Sequence, residues 1–321
     1  VPDADGAQTG LSSLASVATT WGGLGPDDSL LVVTDAGFLP LAQRLAEDNR
    51  PFVRRVSLLD VEDAGAAAAA EALAPNDLLL VLIGADSFIS KGYGRHYPPF
   101  SRPSGVVAKY AFVRPTITAA ALAQGLNTPL ALADGLAARY GGATAGSWFR
   151  VTAPGGTDLA AQARACTSIP YRTAGPGEVA YLPPAEVSWA LVPGAATGRI
   201  VVDVTVGELR VGHELRDALG LVDQPVHLEV RDGKVCDIGG GRIAARLAEG
   251  LSHLEDSCRE VIELGFGLSR MEPTGIIGID ESIAGTCHFG IGADHAGGHS
   301  APIHLDMVLW HPGVEAVDAP R

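Results

Sequence analysis

The feature that most constrains this chain is the rhythm of its first 85 residues. "SLLVVTD" (29–35) is a short run of apolar and β-branched residues, and "LPLAQRLAEDN" (39–49) follows it, with Leu39, Leu41, Ala42 and Leu45 at helical spacing. "FVRRVSL" (52–58) alternates like a strand, "AGAAAAAEALA" (64–74) is helix-forming, and "DLLLVLIGA" (77–85) is again strand-like. Strands that alternate with helices cannot be joined by tight hairpins. They must run parallel, with the helices covering the sheet. No Gly-x-Gly-x-x-Gly run or P-loop follows the first strand, so no nucleotide motif accompanies this pattern. "YGRHYPPFSRPSG" (93–105) interrupts the rhythm as a polar loop carrying His96; Lys91 and Arg95 nearby are candidates for meeting a substrate carboxylate. "TITAAALAQGL" and "LALADGLAARYG" then return to helix.

The texture changes near residue 145. "RIVVDVTV" (199–206) and "PVHLEVRDGKVCDIGG" (225–240) are short strands with turn signals, and the second is a hairpin turning at Asp232-Gly233. The spacing predicts one long helix over 242–264, "RIAARLAEGLSHLEDSCREVIEL", with Gly250 as its weak point. The expected architecture is therefore an α/β N-terminal domain with a parallel sheet over 1–147. An α+β C-terminal domain with mainly antiparallel strands follows over 148–321.

Charge narrows the partners. The formal net charge is −14, with no Lys/Arg cluster, which argues against nucleic acid and anionic membrane as partners. No apolar run approaches the roughly 18 residues needed to span a bilayer. The four cysteines (Cys166, Cys236, Cys258, Cys287) form no CxxC pair. They are expected to be buried free thiols in a reducing, cytoplasmic setting.

The chemistry concentrates at the C-terminal end. Of the nine histidines, His288, His295, His299, His304 and His311 fall in the last 34 residues, interleaved with Asp294 and Asp306 and preceded by Glu281. In "IHLDMV" (303–308) an imidazole and a carboxylate alternate inside an apolar strand, so both project from one face. A buried carboxylate needs a partner or a cation. His288, in "CHFGIG", lies on the preceding strand, and the short link "ADHAGGHSAP" allows the two strands to pair. Glu178 in "GPGEVAYLPP" and Glu263 in "IELGFGLS" are isolated carboxylates in apolar, Gly-rich surroundings. His with Asp or Glu is the ordinary donor set for catalytic zinc, iron, manganese or cobalt.

Four blocks, "PGEVAYLPP", "IELGFGLS", "IDESIAGTCHFGIG" and "IHLDMV", occur in the order in which similar blocks occur in the aminopeptidase T family of metallopeptidases and its shorter leucyl-aminopeptidase-like relatives. The resemblance spans 176–308 and implies metal ligation by Glu178, Glu263, His288, His304 and Asp306, holding one divalent ion or a pair. Zinc, cobalt or manganese would serve a hydrolase. Glu281 is then a candidate base. His295 stands where the peptidases carry a tyrosine that stabilises the tetrahedral intermediate. The chain also resembles a second branch, the 2,5-dihydroxypyridine dioxygenases, in length and in "GFGLS". These hold Fe(II) with two histidines and a carboxylate, and Glu263 stands where one of those histidines is expected. The resemblance therefore implies either a metal-dependent hydrolase of an amide or peptide-like small substrate, or an Fe(II) dioxygenase of a hydroxylated ring. It also implies a homodimer or larger homo-oligomer.

Overall fold

The computed structural model describes residues 14, 17–84, 102–114, 116–294 and 296–319. Lys91, Arg95, His96 and His295 therefore lie outside the described residues. The chain divides into two compact units, one reaching to Asn127 and regaining Pro170–Leu182, the other comprising Thr128–Ile169 and Pro183–Arg321.

In the first unit the predicted rhythm is realised. Strands β1 (Ser29–Thr34), β2 (Arg55–Asp60), β3 (Leu78–Leu82), β4 (Lys109–Val113) and β7 (Val179–Leu182) form a parallel sheet in the order β2-β1-β3-β4-β7. Helices α1 (Leu39–Asn49), α2 (Ala66–Glu71) and α3 (Ala119–Leu126) belong to the same unit. Every residue of β1, β3 and β4 is buried, as expected for strands covered on both faces. α1 has a proline in its first turn and buries Ala42, Leu45 and Ala46. At the end of β1, the Asp35 carboxylate accepts from the N–H groups of Gly37 (3.0 Å), Phe38 (3.2 Å) and Gly84 (2.8 Å). That ties the carboxyl end of β1 to that of β3.

The second unit is built on an eleven-stranded, antiparallel sheet. Its strands are β5 (Trp148–Thr152), β6 (Asp158–Ser168), β8 (Glu186–Val202), β9 (Thr205–Val211), β10 (Glu214–Leu221), β11 (Val226–Arg231) and β12 (Lys234–Gly239). β13 (Val261–Gly267), β14 (Thr286–Gly292), β15 (His304–Trp310) and β16 (Gly313–Val317) complete it. The main path runs β10-β9-β15-β14-β13-β8-β6-β5-β16, with β11 joining β8 and β12 joining β11. The β11–β12 hairpin turns at Asp232 (φ 49°) and Gly233 (φ 80°), the two positive φ angles that a two-residue hairpin turn requires. α4 (Leu130–Tyr140) contributes Tyr140, whose ring stacks on Phe266 at 3.9 Å between centroids. Trp189 packs edge-on against Phe266 and donates its Nε1–H to the Tyr140 carbonyl at 2.7 Å.

The predicted long helix is shorter than expected. α5 covers Arg242–Ser252 and buries Ile243, Ala244, Leu247 and Leu251; a 3₁₀ turn follows at Asp256–Arg259, and the rest becomes β13. Helix-forming Leu, Glu and Arg run through the whole stretch, but Val261 and Ile262 are β-branched, and glycines at 265 and 267 suit a sheet contact better than a helix. Gly250 does not break α5. A Cβ there would stand 2.4 Å from Leu209 Cδ2, so glycine permits a close approach. A short helix, α6 (Ile277–Asp280), ends in buried Asp280, whose oxygens accept from Thr274 N, Thr274 Oγ1 and Gly275 N. Thr205 Oγ1 also donates to Asp280, which ties α6 to β9. All four cysteines are free; Cys258 and Cys287 are buried as expected, whereas Cys236 is exposed and Cys166 half-buried. Among the described residues no helix is long and apolar enough to cross a membrane.

Candidate metal centre

Register puts Glu263, His288, His304 and Asp306, together with Glu186, on one face of β8, β13, β14 and β15. Residues paired across a sheet project to the same side. Glu263 of β13 pairs with Gly290 of β14, which pairs in turn with Asp306 of β15. His288 pairs with Gly265 on one side and Val308 on the other, Glu186 pairs with Gly267, and His304 pairs with Gly292. The expected approach of His288 to the His304–Asp306 strand is present, but displaced along it: Val308, not either ligand, stands directly opposite.

The glycines clear the space. A Cβ at Gly265 would stand 2.0 Å from His288 Cε1 and 2.2 Å from its Nε2. At Gly290 it would stand 2.8 Å from Asp306 Oδ1 and 3.0 Å from Glu263 Cβ. Any larger residue at either position would push a candidate ligand aside. The opposite face of these strands carries Leu264, Phe266, Cys287, Phe289, Leu305 and Met307, all buried.

The donors form two groups. Glu186, Glu263 and His288 bring ligand atoms within 4.8 Å of one another, and so do Glu263, His304 and Asp306. Glu263 belongs to both and divides its oxygens: Oε1 lies 4.0 Å from His288 Nε2, and Oε2 lies 3.6 Å from His304 Nε2. His288 Nε2 is also 3.2 Å from Glu186 Oε2, and His304 Nε2 is 3.1 Å from Asp306 Oδ2. Among the described residues, neither group contains two histidines. His304 Nδ1 lies 2.8 Å from the Ala293 carbonyl. A carbonyl only accepts, so Nδ1 carries the hydrogen and Nε2 is turned toward the carboxylates.

The carboxylates favour positive charge at this face. Burial, then the like charge of Asp306, raises the Glu263 carboxyl pKa above the usual carboxylate range. Burial disfavours charged His288, but Glu186, Asp306, Glu281 and Glu263 outweigh it and the net shift is upward. Burial likewise opposes charge on His304, yet Asp306 and Glu263 push its pKa up to about 10. Three carboxylates crowd two imidazoles, and in the absence of metal the cluster draws in protons. His288 Nδ1 is buried and has no hydrogen-bond partner among the described residues. Mixed carboxylate and imidazole donors suit zinc, manganese, cobalt or iron(II), so the residues present fit a divalent ion.

Glu178 is not in either group. It belongs to the first unit and is exposed; its Oε2 accepts from the Ala174 N–H at 2.6 Å. Backbone N–H groups of Ala174 and Gly175 hold its carboxyl below the usual range. Glu186, two residues past the block "PGEVAYLPP", joins the first donor group although no motif named it. Its one local sign is a carboxylate that opens β8 two residues after Pro184. Glu281 follows α6, is 7% exposed, and is near enough to His288 to raise its pKa.

Residues 136–318 match the family model described as NicX: 2,5-dihydroxypyridine 5,6-dioxygenase. A comparison with curated protein sequences finds no match. The 2,5-dihydroxypyridine dioxygenase of Pseudomonas putida KT2440 has a similar structure, with a TM-score of 0.61 and 15% identity over 96% of this chain and 93% of that one. Wild-type AmpT of Thermus thermophilus is similar at a TM-score of 0.52 and 15% identity, over 95% of this chain and 94% of that one. At such identity the two structures speak for the fold.

Proposed function

The chain belongs to the 2,5-dihydroxypyridine 5,6-dioxygenase family, and from that premise we propose a metal-dependent enzyme acting on a small molecule, with its centre at Glu186, Glu263, His288, His304 and Asp306. The finer reading is hydrolysis of an amide or peptide-like substrate at a pair of divalent ions. One observation carries it: Glu263 offers a separate oxygen to each histidine, as a carboxylate bridging two ions would. Two ions held there would polarise the scissile carbonyl and lower the pKa of a bound water. The chain's own groups orient and protect that chemistry. The Ala293 carbonyl fixes the His304 tautomer, and Gly265 and Gly290 leave room beside the ligands. Glu281, buried near His288, is the candidate proton acceptor. His295 is proposed as a hydrogen-bond donor to the developing oxyanion.

A second reading is favoured by the family match itself: ring opening of a hydroxylated aromatic or heteroaromatic substrate at a single Fe(II). Against it, neither donor group holds two histidines among the described residues. The two readings part in one experiment. Metal-depleted protein is reloaded anaerobically with manganese, cobalt, zinc or Fe(II), then assayed for aminoacyl-anilide hydrolysis and for O₂ uptake with 2,5-dihydroxypyridine. Hydrolysis with two ions per chain supports the first reading. O₂ uptake with one iron per chain, and no hydrolysis with any metal, overturns it.

A further inference from the structure

Arg164 lies in β6, at a shift in register against β8 between Ala163 and Ala165. Such a bulge re-aims the side chain at its centre. Here it aims the guanidinium at the loop that joins β14 to β15. Arg164 Nη2 donates to Asp294 Oδ2, and the Asp294 side chain is only 5% exposed. The same carboxylate gathers its own loop. Oδ1 accepts from Ala296 N at 2.7 Å, and Oδ2 from Gly298 N at 2.9 Å. The Asp294 N–H donates to the His299 carbonyl at 3.0 Å, closing the loop on itself. The loop sits flush on the guanidinium, since a Cβ at Gly298 would stand 2.6 Å from Arg164 Cζ. Ala293, directly before Asp294, holds His304 Nδ1 through its carbonyl.

We propose that Arg164 is a positioning residue for His304: it pins Asp294, which sets the Ala293 carbonyl, which fixes the tautomer and ring orientation in which His304 presents Nε2 to a metal ion. The inference rests on the metal-centre reading above and deepens it. Partners that orient a ligating histidine are typically worth about 10–100-fold in metal affinity. The effect is local, because Asp294 acts through His304 and not through His288. The ion held by Glu263, His304 and Asp306 should therefore weaken selectively.

The test is a manganese titration of metal-depleted protein, followed calorimetrically, on wild type, Arg164→Met, Arg164→Lys, Asp294→Asn and His304→Ala. Arg150→Met is the control, since it removes an exposed ion pair with Asp158 in the same sheet. Arg164→Met should weaken one of two binding phases about 10–100-fold and leave the other unchanged, with Arg164→Lys intermediate and Arg150→Met silent. Asp294→Asn should weaken the same phase, and it carries the prediction if Arg164→Met does not fold. Unchanged affinity in Arg164→Met and Asp294→Asn, or equal loss in both phases, overturns the proposal. If His304→Ala also binds like wild type, the metal-centre reading fails and takes this proposal with it.

Discussion

β3 of the parallel sheet and β14 of the antiparallel sheet are both buried along their whole length, yet they are built on opposite principles. β3 reads "LLLVL", and its side chains fill the space on both faces. β14 reads "TCHFGIG": one face is apolar, while the other alternates His288 with Gly290. In the first region burial is the source of stability. In the second, volume is given up so that imidazoles and carboxylates can converge, an arrangement that local rules of packing disfavour and that function must justify.

That contrast can be broken by substitution. The largest effect is expected at Glu263, which belongs to both donor groups. Glu263→Gln should reduce activity by roughly a thousandfold and abolish binding of at least one ion, as measured by turnover and elemental analysis. The metal-free variant should melt no lower than metal-free wild type, because a buried carboxylate crowded by Asp306 is replaced by a neutral isostere. A lower melting temperature would show that Glu263 is there for stability. Leu80→Ala in β3 should behave in the opposite way. It should cost about 2–5 kcal/mol in denaturant unfolding while leaving the metal stoichiometry of the folded protein intact. Gly265→Ala should fall between them, costing about 1–3 kcal/mol and displacing His288, so that metal content and stability drop together. If it binds metal normally, Gly265 does not shape the site. The smallest effect is expected at Glu178, an exposed carboxylate that caps its own turn. Glu178→Gln should change stability by less than about 0.5 kcal/mol and leave metal content unchanged. Loss of an ion would restore it as a ligand at the expense of Glu186.

The same contrast explains what could be read from sequence. β1, β3 and α1 were legible because their signals are local: a short apolar run and a helical stripe. The His304–Asp306 pair was legible because alternation in a strand is also local. β13 was hidden inside a helical prediction, since the composition that forms α5 continues past Ser252, and only pairing with β8 and β14 selects a strand. Glu186 was missed because its local sign, a carboxylate soon after two prolines, names no partner. Its partners, Glu263 and His288, come from β13 and β14. The two glycines had no visible role until register placed them beside the ligands.

The proposed centre would hold two metal ions on one sheet face, with Glu263 serving both. An anomalous difference map from crystals grown with manganese tests it most directly. Two peaks are expected, one among Glu186, Glu263 and His288 and the other among Glu263, His304 and Asp306. A single peak bound by both histidines, or no peak on this face, would contradict it.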